Sequence, residues 1–521
     1  MPINFIPNDP TVIATLPMRA KTPRAERPSG RARFRYVAHG PAAKYAPGTP
    51  DFLFWQTREA ALATMQMWES LAGSVTKWAR SPNRLVLDLF PDSATPDLNA
   101  YYDGESLGFF HFDLARGTYF SGASTEIVSH EVGHALLDVI RPDLWDSLLP
   151  ETGAFHEAFG DCISMLTCFA DSDTVAHILR KSGRLNSRNI VETFGEDLAR
   201  AVRLVEGATH PASKPRQGLN RFQWALPSTL PRSGGPAELT SEVHSFARVF
   251  SGVFYDLIRN LVGKGKTPAA LRKAVTTAGK LLVAGAKGAP LTPRFYQAVG
   301  RVMMLEDRSV NGGANDRAIA DAFSAHGILL GASAMLSPTS SVATATGSMG
   351  SAKSAMAALG RRLSGDQGRK AHATRRVEIG GSMVTEVSGE RQVSLAAISE
   401  RLKGVVCYVP NSVLVGDVSR GRSAVLGGFD DPDSVEHEVQ RFVSQLVERG
   451  RVDFAGNDAL VYAPSKLRGK GAAKTGRAGA TSTHERRARL ATHTVVASHG
   501  KRVLQRARFA CGPGCCGADL D

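Results

Sequence analysis

Residues 130–138 read HEVGHALLD and residues 153–161 read GAFHEAFGD. Around the first block, Ile127, Val128, Val132, Leu136, Leu137 and Ile140 recur at helical spacing. Ser124 or Thr125 can cap the start of this helix, and Pro142 forbids its continuation. Positions i and i+4 share one helix face, so His130 and His134 can reach a single zinc ion together. Glu131 follows the first histidine and projects beside the metal without binding it, which suits a general base acting on water held there. The second block is also helical in character. Glu157 and Asp161 lie four residues apart on one face. One carboxylate can complete the zinc set while the other accepts the outer N–H of a ligand histidine. Asp138, four residues after His134, is a second candidate for that orienting role.

Outward from these blocks the chain divides by composition. Residues 1–50 are rich in Pro, Arg and Gly and read as an extended segment. Residues 51–335 carry the globular pattern. A helix is expected over 52–79, short strands over 84–90, 107–113 and 117–122, and helices over 125–140, 154–170, 242–262, 268–284 and 292–305. Residues 336–376 read as a flexible basic linker. Residues 377–463 recover globular composition and predict a small α/β domain, with strands in VEIGGSMVTEV and GVVCYVP and an amphipathic helix at 435–450. Residues 464–521 read as a disordered basic tail. The fold class is α+β.

The formal charge of +14 is unevenly placed. Residues 337–376 carry +6 and residues 464–521 carry +9, leaving the remainder near neutral. Such segments attract polyanions through counterion release, so a weak nucleic-acid or other polyanion contact belongs to the linker and tail. No aromatic residues are interleaved for stacking on bases. The six cysteines do not form a disulfide framework. Cys162, Cys168 and Cys407 sit in apolar surroundings and read as buried thiols, while Cys511, Cys515 and Cys516 read as exposed thiols of a tail. No apolar stretch is long enough to span a bilayer. No basic region followed by an apolar one opens the chain, which predicts a cytoplasmic location or export without a conventional signal peptide.

Taken together, HEVGHALLD followed by GAFHEAFGD resembles the thermolysin-like gluzincin metallopeptidases, whose signature is HExxH and then a Glu on the next helix. The resemblance covers about residues 95–260. It implies a β-rich lobe with the active-site helix, followed by a helical lobe. It makes His130, His134 and Glu157 the zinc ligands, Glu131 the general base, and Asp161 and Asp138 the supporting acids. Asn99-Ala100-Tyr101-Tyr102 is similar to the family's edge strand, on which substrate backbone pairs as an added strand. Ile127 matches a position lining the pocket for the residue after the cut. Glu242-Val243-His244 is similar to the segment whose histidine stabilises the oxyanion. The implied function is a zinc endopeptidase acting on protein or peptide substrates.

Three departures stand out. Leu148 falls where the family has an oxyanion-assisting tyrosine, which leaves His244 alone or assisted by Tyr101 or Tyr255. His156 replaces an Asn before the third ligand. Only Glu126 falls on a position matching a calcium ligand, which argues against bound calcium. The alternative reading is a catalytically weak or silent protein of this fold, targeted to polyanions by its basic tail.

Overall fold

The computed structural model describes residues 1–37, 39–81, 84–89, 97–182, 185–265, 267–331, 375–379, 382–415, 425–426, 432–454, 461–462 and 488–510. Almost all of the expected linker, residues 464–487 of the expected tail, and Cys511, Cys515 and Cys516 lie outside this set.

The chain opens with β1 (Ile3–Phe5) and β2 (Arg19–Lys21), paired antiparallel, then β3 (Arg33–Arg35). Ile3, Phe5 and Ile6 are buried, and beyond the β1–β2 pairing the Ile6 backbone is satisfied by a side chain. Gln56 accepts from the Ile6 amide and donates to its carbonyl, and Asp9 caps the turn at Pro10–Val12. A polar, proline-rich stretch is therefore held by specific acceptors that composition does not reveal.

Helix α1 (Pro50–Ala72) starts at a Thr49 cap with Pro50 in the first turn, where its missing N–H costs nothing. Strands β4 (Arg84–Leu89), β5 (Ala100–Tyr102), β6 (Ser106–Phe109), β7 (His111–Asp113) and β8 (Thr118–Phe120) follow. Next come α2 (Thr125–Ile140), α3 (Pro150–Ala170), α4 (Ser172–Ser182), β9 (Thr193–Phe194), α5 (Glu196–Glu206), β10 (Arg216–Gln217), α6 (Val243–Val262), α7 (Pro268–Gly288), α8 (Phe295–Asn311) and α9 (Asp316–Ser324). One apolar core runs through these elements from Phe5 to Leu330 and also takes in Val377, Ile379, Leu414 and Phe509 from later in the chain.

The second module contains β11 (Arg375–Ile379), β12 (Ser382–Ser394), β13 (Val405–Val415), β14 (Val425–Leu426), α10 (Pro432–Glu448) and β15 (Val452–Asp453). Beyond these lie β16 (Val461–Tyr462), β17 (Ala488–Arg489), β18 (His493–Ser498), β19 (Lys501–Arg506) and β20 (Phe509–Ala510). Its sheet runs β11-β12-β13-β19-β18-β15, with β13–β19 and β15–β18 parallel. Residues 490–510, expected within a disordered tail, are thus structural. β18 and β19 pair through a two-residue turn whose His499 and Gly500 both have positive φ, the geometry that matches strand twist.

The second module is seated on the first. Leu148 and Leu149 belong to its apolar cluster, beside Val393, Val439 and Leu504. Trp145 and Arg506 exchange two hydrogen bonds of 3.1 Å, and Ser412 and Leu291 exchange another pair. Arg294 pairs with Glu438 at 2.9 Å. Finally, β20 leaves the second module and pairs antiparallel with β5, giving the first module a sheet ordered β20-β5-β6-β4-β3.

Candidate metal centre

Two glycines bring α2 and α3 together at the site. A Cβ on Gly133 would lie 3.0 Å from the Gly160 Cα, and a Cβ on Gly160 would lie 2.7 Å from the His130 ring. Their absent side chains allow the His130 imidazole to lie directly against α3. Ser124 accepts from the Ile127 amide and fixes the start of α2, which sets the rotation of the HExxH face.

On that face, ligand atoms of His130, His134 and Glu157 all lie within 4.8 Å of one another, and all three residues are buried. Glu157 Oε2 is 3.3 Å from His130 Nε2 and 3.8 Å from His134 Nε2. It is also 3.1 Å from His244 Nε2. Among the described residues this is the one His/Cys/Asp/Glu group with metal-ligand geometry.

The surroundings set the protonation of these donors. Asp161 Oδ1 faces His130 Nδ1 at 3.1 Å, so that nitrogen carries the proton and Nε2 keeps its lone pair for a metal. Asp161 is held in turn by Arg216 at 2.7 Å and by the Ser251 hydroxyl at 2.8 Å. Burial pushes the Asp161 carboxyl up, but Arg216 and His130 outweigh it and hold it below the usual carboxylate range. Burial drives His134 down to about 3, which makes it a neutral imidazole, the form that ligates metals. Its Nδ1 lies 2.8 Å from His156 Nδ1. One of the two nitrogens must donate. A metal on His134 Nε2 would put the proton on His134 Nδ1, with His156 Nδ1 accepting it. His156 Nε2–H is then buried without a hydrogen-bond partner among the described residues.

His244 opens α6. Its Nδ1 is 2.7 Å from Glu242, whose other carboxylate oxygen caps the helix at the Ser245 amide. Glu131 is fully buried and lines an open cleft together with Ala100, Ile127, His130, Arg216 and His244. Asn99 is turned inward. Its side chain accepts from the Ala100 amide and donates to Asp97. Asp138 stands apart from the ligand nitrogens. It accepts from the Tyr102 hydroxyl at 2.9 Å and pairs with Arg80 at 3.0 Å. Leu148 faces the core of the second module, and the Tyr255 hydroxyl donates to the Leu185 carbonyl.

Three neighbours of the site escaped the sequence reading. Arg216 lies on the short strand β10, with no recognisable motif around it. Glu242 was read only as the opening of a helix. Phe509 comes from the expected tail. Its ring stacks on His156 at 3.7 Å between centroids and on His134 at 4.8 Å, and it is 2% exposed.

The donor set fits a divalent cation of the zinc type: two neutral imidazoles and one carboxylate, with outer nitrogens fixed by Asp161 and His156. Among the described residues, no helix is long and apolar enough to cross a membrane. No family model matches the chain. Over 162 residues it is 27% identical to the extracellular metalloproteinase 2 of Arthroderma gypseum, a stretch covering 28% of this chain and 26% of that protein. The chain therefore spans about a quarter of the length of this relative, and what it shares with that metalloproteinase is a partial sequence likeness.

Proposed function

We propose that the chain is a zinc-dependent metallopeptidase of the thermolysin-like gluzincin kind, cutting peptide bonds within protein or peptide substrates. The observation that carries this reading is the buried His130, His134 and Glu157 set, with Glu131 on the same helix facing the cleft. The partial likeness to a fungal metalloproteinase supports it.

Zinc held by these three residues would polarise a peptide carbonyl and acidify water. Glu131 takes the proton from the attacking water and delivers it to the leaving amine. Its burial beside His130 keeps bulk water from competing for that proton. His244 stabilises the negative charge that develops on the carbonyl oxygen. Its Nδ1 lies 2.7 Å from Glu242 and its Nε2 lies 3.1 Å from Glu157. Asp161 and Arg216 hold the His130 ring in place. Ile127 offers an apolar wall to the residue after the cut, and the Asn99–Ala100 edge offers backbone partners to an extended peptide.

The test is hydrolysis of an unfolded protein by the full chain, with and without a chelator. Chelator-sensitive cleavage is expected, and Glu131→Gln should lose at least about 100-fold in kcat, the lower range for a removed general base. Undiminished cleavage by Glu131→Gln would refute the proposal.

A further inference from the structure

Beside the metal ligands, the second module closes a small cavity against the first. Glu157, Glu242 and His244 line it from the first module, and Arg451, His493 and Arg506 line it from the second. The fold gathers the last three from separate segments. Arg451 follows α10, and its carbonyl accepts the Thr492 and His493 amides at 3.0 Å. His493 opens β18 and stands opposite Arg506, the last residue of β19. All three are buried, with Arg451 only 3% and Arg506 only 8% exposed. Arg451 donates from Nη1 to the Leu490 carbonyl at 2.8 Å, while its Nε and Nη2 have no hydrogen-bond partner among the described residues. Arg506 donates from Nε to the Trp145 carbonyl and stacks on the Phe509 ring, but its Nη2 is likewise unpartnered there. So is His493 Nε2. The acids of the lining are engaged elsewhere. Glu157 faces the ligand nitrogens and His244, and Glu242 holds His244 and the Ser245 amide.

Taking a guanidinium out of water with no anion beside it is strongly unfavourable. Burial lowers Arg506 to about 10, with Glu157 and Asp146 opposing, so it is still a cation at neutral pH. Two such cations with unused N–H donors at one cavity call for an anion that the described residues do not supply. The planar N–H pairs of arginine match a carboxylate. We propose that this cavity binds a carboxylate of the peptide substrate, carried by an acidic side chain or by the free carboxyl terminus. The inference rests on the hydrolytic reading above and names its substrate class. The assignment to substrate follows from position. Glu242 and His244 line both this cavity and the cleft that holds Glu131, so a group bound here lies beside the reacting centre. The second module is then the part of the enzyme that selects acidic peptides.

The experiment measures binding of fluorescent peptides to the zinc-loaded full chain carrying Glu131→Gln, by anisotropy. The peptides are matched pairs, Glu against Gln and free against amidated carboxyl terminus. The carboxylate member of at least one pair should bind about tenfold tighter or more, the range for a hydrogen bond to a charged group. The pair that shows the difference identifies which carboxylate is read. Adding Arg451→Gln should abolish the preference and leave affinity for the neutral, amidated peptide unchanged, which also reports an intact fold. Adding Arg502→Gln, at an exposed position of β19, should leave the preference in place. Equal affinities within every pair overturn the proposal, as does a preference that survives Arg451→Gln or that vanishes equally with Arg502→Gln. The Glu131-intact chain is assayed for cleavage of the same peptides. A carboxylate preference without any cleavage keeps the binding site and overturns the hydrolytic reading. Cleavage without any preference overturns the binding site alone.

Discussion

Replacing Gly160 by alanine tests whether the geometry of the metal centre is set by the contact between α2 and α3. An added Cβ would stand 2.7 Å from His130 Cε1 and Nδ1. Restoring an ordinary contact of 3.4 Å requires the ring to retreat by about 0.7 Å. Metal–ligand distances tolerate only about 0.2 Å. The ring is also pinned from its far nitrogen by Asp161, itself tied to Arg216 and Ser251. In an exposed helix, Gly→Ala would stabilise by about 1 kcal/mol. Here overpacking should cost about 1–3 kcal/mol instead. Zinc affinity, measured by competition with a chromophoric chelator, should fall by about 10–100-fold, the range for a displaced ligand support. Thermal unfolding of the metal-free chain should report the packing cost separately. Wild-type zinc affinity together with an unchanged Tm in Gly160→Ala would refute the reasoning.

Other perturbations address other parts of the account. His244→Gln should lower kcat by about 100–1000-fold with zinc retained, as for a lost oxyanion donor; an unchanged kcat would remove His244 from the mechanism. Glu151 is 1% exposed, and burial raises its carboxyl to about 8. The folded chain therefore keeps a proton that the unfolded chain releases, so this contribution to stability is full below about pH 4.5 and falls as pH rises towards 8. Glu151→Gln should remove that decline, gaining on the order of 3 kcal/mol relative to wild type at pH 7 as an upper bound; parallel Tm–pH profiles for the two proteins would contradict it.

The helices of the site were legible because each rests on a local pattern. The apolar spacing around HEVGH and the Ser124 cap read directly as α2, observed over Thr125–Ile140. The residues that fix its protonation were less legible, since they arrive from separate segments. Arg216 is brought to Asp161 by β10, far along the chain, and His156 directly precedes Glu157 on α3. Leu148 reads as a missing tyrosine in sequence, whereas in space it is a core residue of the second module. The strands at 493–510 were hidden because four basic residues, Lys501, Arg502, Arg506 and Arg508, mask the inward positions Val503, Leu504 and Phe509. Arg506 and Arg508 are themselves buried, so charge does not mark which side chains of this segment face inward.

The central claim is that Glu157 joins His130 and His134 around one catalytic zinc ion. Metal content measured on purified full-length chain and on Glu157→Ala, both dialysed against limiting zinc, tests it most directly. About one zinc per wild-type chain and strong depletion in the variant are expected, with secondary structure preserved. Equal zinc in both proteins would contradict it.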